Sequence, residues 1–286
     1  MRNLFSRSIV GPLVLLLLLA ATLLALAGGH VFTWRELGGG LVTAFFIPCL
    51  PAQNVVASGK ATINLANLLG YTIEYILLEL GGTSFTKSMI TDCAIKANAK
   101  VIYDDTGSNM DSRMQYRGEA ANAAYLVVAF DESRSRTTVA KTVSTKTGVD
   151  QNVVDGEKIG CIDTTFGIQQ LTAEITIAGA TAPTLNAYAE LSPAPAVDDR
   201  FRGLIGKTLN FTISPAASGT FLFDVPYGRQ NGAIIKRIFL FGSTVTGYEV
   251  KKNGITIMKA NSVALNNFVE GREGRVSQAN VVPIDF

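Results

Sequence analysis

The chain repeats itself, and that constrains its fold more than any other feature. Ile73, Ile76, Leu78 and Leu80 run into Gly81-Gly82-Thr83. Much later, Ile235, Ile238, Leu240 and Phe241 run into Gly242-Ser243-Thr244. Next in order, Ile95–Ile102 (IKANAKVI) matches Val250–Ile257 (VKKNGITI), with Asn98 over Asn253 at a turn. Asn253-Gly254 is a strong two-residue hairpin signal, because both residues accept positive φ. Last, Val127-Val128-x-Phe130-Asp131 matches Val281-Val282-x-Ile284-Asp285. Three landmarks in one order, offset by roughly 154–162 residues, predict two similar units in tandem. A chain of 286 residues is long enough to give each unit its own core.

The units read as β throughout. Lys60–Leu65 (KATINL) and Tyr71–Leu80 (YTIEYILLEL) are β-branched and aromatic runs, the second stopped by Gly81-Gly82. Cys93–Tyr103 reads as two short strands joined at Asn98-Ala99, and Ala123–Phe130 as a buried strand. Residues 131–158, rich in Ser, Thr and charge, read as a long exposed loop that opens with the charged run Glu132–Arg136. Leu171–Gly179 and Leu185–Leu191 restore period-two alternation, and Thr208–Ile213 and Gly219–Pro226 begin the pattern again. Helical periodicity is scarce, with Asp111–Tyr116 the best candidate. The expected fold class is all-β, with two tandem jelly-roll β-sandwiches. The first spans 46–191 and the second 200–286. The joint at 192–199 (SPAPAVDD) is stiffened by prolines that donate no amide.

Residues 1–45 stand outside this pattern. Arg2 and Arg7 precede an apolar run from Ile9 to Ala27, about nineteen residues or roughly 28 Å as a helix, enough to cross a bilayer core. Three readings remain open. The run is a secretory signal cleaved after Ala25-Leu26-Ala27, a retained membrane anchor with its arginines on the cytoplasmic side, or the product of a start assigned too far upstream.

Catalytic chemistry has little to work with. His30 is the only histidine and lies beside the hydrophobic segment, so a Ser-His-Asp or Cys-His site in the body is excluded. Gly38-Gly39-Gly40 lacks the Lys-Ser/Thr of a phosphate loop and reads as a flexible link. Asp104, Asp105 and Asp111 miss the calcium-loop spacing and read as a solvated turn. Asp198-Asp199 is a solvated linker pair. Asn210 heads a glycosylation triplet inside an expected strand. Cys49, Cys93 and Cys161 are odd in number and widely spaced, which predicts small buried thiols. With 25 basic and 23 acidic residues, the net charge of +2 is too small for direct nucleic-acid binding. No catalytic, cofactor or metal residues are assigned, no small-molecule substrate is expected, and the chain is not expected to be an enzyme.

The order of features resembles the double jelly-roll major coat proteins of corticovirus-like phages, icosahedral viruses with an internal membrane. The residues that carry the likeness are Ile47–Leu65, Gly70–Thr86, the hairpin Ile95–Gly107 and the matching set after Asp199. The resemblance implies a structural coat subunit of the virion, with two eight-stranded barrels. Its partners would be two further copies in a trimeric, pseudo-hexagonal capsomer, and the neighbouring capsomers of a shell over lipid. A retained Ile9–Ala27 helix could reach that lipid. The alternative is a secreted or membrane-anchored bacterial β-sandwich adhesin or carbohydrate-binding module.

Val281–Phe286 (VVPIDF) reads as an interior strand of the second roll. Its twin in the first unit is followed by two further strands, Leu171–Gly179 and Leu185–Leu191, which have no counterparts after Phe286. The expectation is a second roll lacking its final strands, either because the sequence is clipped or because another chain donates them.

Overall fold

The computed structural model describes residues 45–130, 141–144, 150–154, 160–193, 205–215, 218–226, 235–242 and 244–286. The expected helix at Ile9–Ala27, His30, the Gly38-Gly39-Gly40 link, Glu132–Arg136 and Asp198-Asp199 lie outside them. Among the described residues, no helix is long and apolar enough to cross a membrane.

Period-two alternation builds the first repeat. In β10 (Leu171–Ile177), Leu171, Ala173, Ile175 and Ile177 are buried while Thr172, Glu174 and Thr176 face outward. The same logic shapes β1 (Phe45–Pro48), β2 (Gly59–Asn64), β3 (Tyr71–Ser84), β4 (Ile90–Ala97), β5 (Lys100–Asp105), β6 (Tyr125–Ala129) and β11 (Thr181–Pro193). One sheet has the order β1-β11-β3-β6, and the other has β2-β10-β4-β5. The chain thus alternates between two sheets, and its last two strands, β10 and β11, are inserted one into the middle of each. That is the topology of an eight-stranded jelly roll. Ile63, Ile76, Leu78, Ile95, Leu126 and Ile175 are among the side chains buried between the sheets.

Several expectations change in detail. Strand β3 runs through Gly81-Gly82 to Ser84, because Gly82 takes a φ of 102° and stays in register with Pro183 of β11. The 131–158 loop carries a hairpin, β7 (Lys141–Ser144) with β8 (Asp150–Val154). A short strand β9 (Ile162–Asp163) also joins β3. The helix expected at Asp111–Tyr116 starts earlier, as α1 (Gly107–Tyr116), where the Thr106 side chain accepts the Asn109 amide. The Asn98-Ala99 turn is as expected, with φ of 48° and 65°. Cys93 and Cys161 are buried and Cys49 is half-buried, all three as free thiols. Burial pushes the pKa of both Cys49 and Cys93 up to about 12.

The second repeat keeps the same order in a looser form. Strand β12 (Arg237–Phe241) pairs with β15 (Val281–Asp285), and β13 (Tyr248–Lys252) pairs with β14 (Ile255–Ala260). Between β14 and β15 lies a second ten-residue helix, α2 (Val263–Arg272), which the sequence reading missed. Among the described residues, the expected strands Thr208–Ile213 and Gly219–Pro226 join no sheet, and of them Thr208 makes a bridge, to Tyr103.

Candidate functional site

The two repeats meet where α1 ends. Tyr116, the last residue of α1, is buried and donates its hydroxyl to the Glu270 carboxylate of α2. Its carbonyl accepts the Val276 amide at 3.0 Å. The Phe239 ring of β12 meets the Tyr116 ring edge-on at 5.3 Å. Three guanidinium groups close around this aromatic pair. Arg275 lies 5.5 Å and Arg237 6.0 Å from the Tyr116 ring centre, and Arg113 lies 6.0 Å from that of Phe239.

Charge at the junction is largely paired. Arg237 donates through Nε and Nη2 to Asp285 at 3.1 and 2.7 Å, directly across the β12–β15 ladder. Arg113 pairs with Asp105 at 2.6 Å and also donates to the Tyr103 hydroxyl. Arg275 is 5% exposed, and neither of its terminal nitrogens has a hydrogen-bond partner among the described residues. Burial, then the nearby Arg237 charge, lowers its proton affinity. Burial, ahead of the Glu270 hydrogen bond and charge, raises the Tyr116 pKa far above the ordinary tyrosine value. The site is a joint between the two repeats. The contacts across it link residues more than 100 positions apart in the chain, and no local motif marks them.

A second surface lies on the outer face of the β1-β11-β3-β6 sheet. Phe46, 49% exposed, stacks on Tyr188 at 5.4 Å and tilts against Tyr75 at 6.4 Å. Beside them, Glu79 accepts from Asn186 Nδ2 at 3.0 Å, the Tyr188 hydroxyl at 3.2 Å and the Tyr125 hydroxyl at 3.4 Å. Exposed aromatic surface of this kind is typical of subunit contacts.

The acidic residues weighed in the sequence go to separate partners. Asp105 takes Arg113, Asp111 takes Lys87 at 2.5 Å, and Asp104 neighbours Asp92 across β4–β5. Among the described residues, no group of three or more His, Cys, Asp or Glu could hold a metal ion. Asn210 is exposed and lies outside any strand, contrary to the expectation of a strand there.

Both repeats match known sequence profiles. Residues 46–192 match the viral coat protein P2 N-terminal domain, and residues 205–286 match the viral coat protein P2 C-terminal domain. No curated protein matches the chain. Among solved structures, the major capsid protein P2 from bacteriophage PM2 matches with a TM-score of 0.66 at 19% identity, over 85% of this chain and 82% of that one. The STIV MCP matches with a TM-score of 0.49 at 13% identity, over 86% and 85% of the two chains. The PBCV-1 virus capsid matches with a TM-score of 0.45 at 11% identity, over 86% and 78%. The PM2 likeness shows a shared fold.

Proposed function

The chain belongs to the viral coat protein P2 family, and from that membership we propose how it builds a coat. It is a structural protein of the virion capsid, and a secreted adhesin is not favoured. In the proposed arrangement, three copies form a pseudo-hexagonal capsomer, and capsomers tile an icosahedral shell over an internal membrane. Two similar rolls per chain support this, since three copies then present six similar bodies around one axis. The proposed division is a first roll at 46–191, a joint at 192–199 and a second roll at 200–286. An Ile9–Ala27 helix would meet the lipid beneath the shell. The work done is surface complementarity, without catalysis.

The observation that carries this reading is the tandem match of both repeats to the two coat-protein domains. The test is to purify particles, disrupt them gently and sediment the dominant band. Trimers are expected. Stable monomers, or a mature N-terminus at Gly28 from signal cleavage, would overturn the arrangement.

A further inference from the structure

Helix α2 is inside out. Its buried side chains are Asn266 and Glu270, while Leu265, Phe268 and Val269 face outward at 47%, 68% and 38% exposure. A helix on a free surface shows the opposite polarity. Helix α1 follows that rule on its inner side, where Met110 and Met114 are buried.

The two helices are equivalent position by position. Each has ten residues, and each is capped by a hydroxyl, of Thr106 or Ser262, that accepts the amide of the third helical residue. Counting from the caps places Arg113 over Val269, Tyr116 over Arg272 and, beyond the helices, Glu119 over Arg275. The ladders agree. Ile76–Val128 and Leu78–Leu126 recur as Ile238–Ile284 and Leu240–Val282, so Tyr75 and Leu77 correspond to Arg237 and Phe239.

Within one chain, α1 docks on β12 through these positions. Tyr116 meets Phe239 edge-on, Arg113 lies over Phe239, and Arg237 and Arg275 lie over Tyr116. The matching residues of β3, Tyr75 and Leu77, are half-buried on the outer sheet face, with Phe46 against Tyr75. Their surroundings are acidic, since Glu190 hydrogen-bonds Tyr75 and the Glu119 and Glu74 charges act on it. Helix α2 carries the complementary charge, in the exposed Arg272. We propose that the outward face of α2 docks on the outer face of β3 in a second copy of this chain. Val269 covers Leu77 there, and Arg272 meets Tyr75 and Glu119, repeating between copies the joint that Tyr116 makes within one. Helix on sheet is a heterologous contact, and repeated by rotation it closes a ring. The proposal rests on the trimeric arrangement above and names the surfaces that build it.

Charge reversal in the whole chain tests it. Arg272→Glu should weaken trimers by on the order of tenfold in sedimentation, and adding Glu119→Arg should restore them. Carbodiimide treatment gives a second measurement, on trimers of Arg272→Lys assembled from isotopically labelled and unlabelled chains. An amide bond between the amine at position 272 and the Glu119 or Glu190 carboxyl, formed with loss of water, should appear in peptides of mixed label. Trimers that ignore the reversals and give no such peptide overturn the proposal and leave the coat arrangement standing. A link confined to one chain, or made to a different protein, overturns it equally. Absence of trimers in the parent removes the arrangement itself, and the proposal with it.

Discussion

Tyr116 donates its hydroxyl to the Glu270 carboxylate across the junction between the two repeats. Both groups are buried, so each is the other's replacement for water. Tyr116→Phe strands a buried carboxylate and should cost about 1–3 kcal/mol in a urea titration. Glu270→Gln on top of it should add less than it does alone, because the interaction is already gone. The pH dependence has a definite sign. The Tyr116 pKa is raised on folding, so its contribution is complete below the unfolded tyrosine value of about 10. It is lost as pH climbs through the folded value. Tyr116→Phe should therefore flatten the alkaline limb of the stability curve. An unchanged limb would remove Tyr116 from the joint.

Arg237 and Asp285 form the second pair at this joint, with Asp285 itself 3% exposed. Breaking a buried pair on one side leaves an uncompensated charge. Arg237→Met should thus cost roughly 3–5 kcal/mol. Replacing both, as Arg237→Met with Asp285→Leu, should recover most of that loss, since an apolar pair needs no solvation. Chemical denaturation of the single and double variants measures the difference. Equal stability of the two would mean that the ion pair is not what holds β12 to β15 at this position.

Much of the first roll was legible because its signals are local. Alternation in Leu171–Ile177 and the Asn98-Ala99 turn each specify their own structure within a few residues. The repeat matched Val127-Val128 to Val281-Val282, whereas the ladders equate Leu126 and Val128 with Val282 and Ile284, two residues along. A shift of two preserves the inward face, so the pattern could not distinguish them. Strand β15, expected in the interior of its roll, pairs on one side only among the described residues, like β6. Helix α2 escaped notice because Asn266, Asn267 and Gly271 are poor helix formers; the Ser262 cap, accepting the Leu265 amide at 3.1 Å, was its available signal. The strands expected at Thr208–Ile213 and Gly219–Pro226 have the right alternation, but a strand also needs a partner. The junction was illegible for a different reason. Nothing near Tyr116 announces a glutamate 154 residues away.

Gly82 and Gly242, glycines in the two stretches that the repeat aligns, should respond differently to substitution. Gly82 has a φ of 102°, and a Cβ there would collide with the Ala182 backbone of β11. Gly82→Ala should cost about 2 kcal/mol or more from strain and steric displacement together. Gly242 has no atom within 4 Å of an added Cβ and no positive φ, so Gly242→Ala should stay within about 0.5 kcal/mol. Thermal melts of the two variants test this directly. A costly Gly242→Ala would mean that the second roll is already packed there as tightly as the first.

Asp92 and Asp104 are neighbours on β4 and β5, and burial of Asp92 beside Asp104 gives the fold an acid-favoured element. Burial, then the hydrogen bond to Asp104 and the Asp104 charge, raises the Asp92 pKa, with Lys60 opposing and Glu174 reinforcing the shift. A carboxyl whose folded pKa is raised stabilises the fold below its unfolded value of about 3.9. That stability is lost as pH rises through the folded value. Above that folded value the half-buried Asp92 charge faces the Asp104 charge. Asp92→Asn should then raise the melting temperature by about 2 °C at pH 7, a modest gain because solvent screens a half-buried pair. The gain should shrink as pH falls and vanish once Asp92 is protonated in the parent. Melting curves across pH 3–7 for parent and variant decide it. A variant whose advantage grows on acidification would show that Asp92 is held charged by Lys60 and does not share a proton with Asp104.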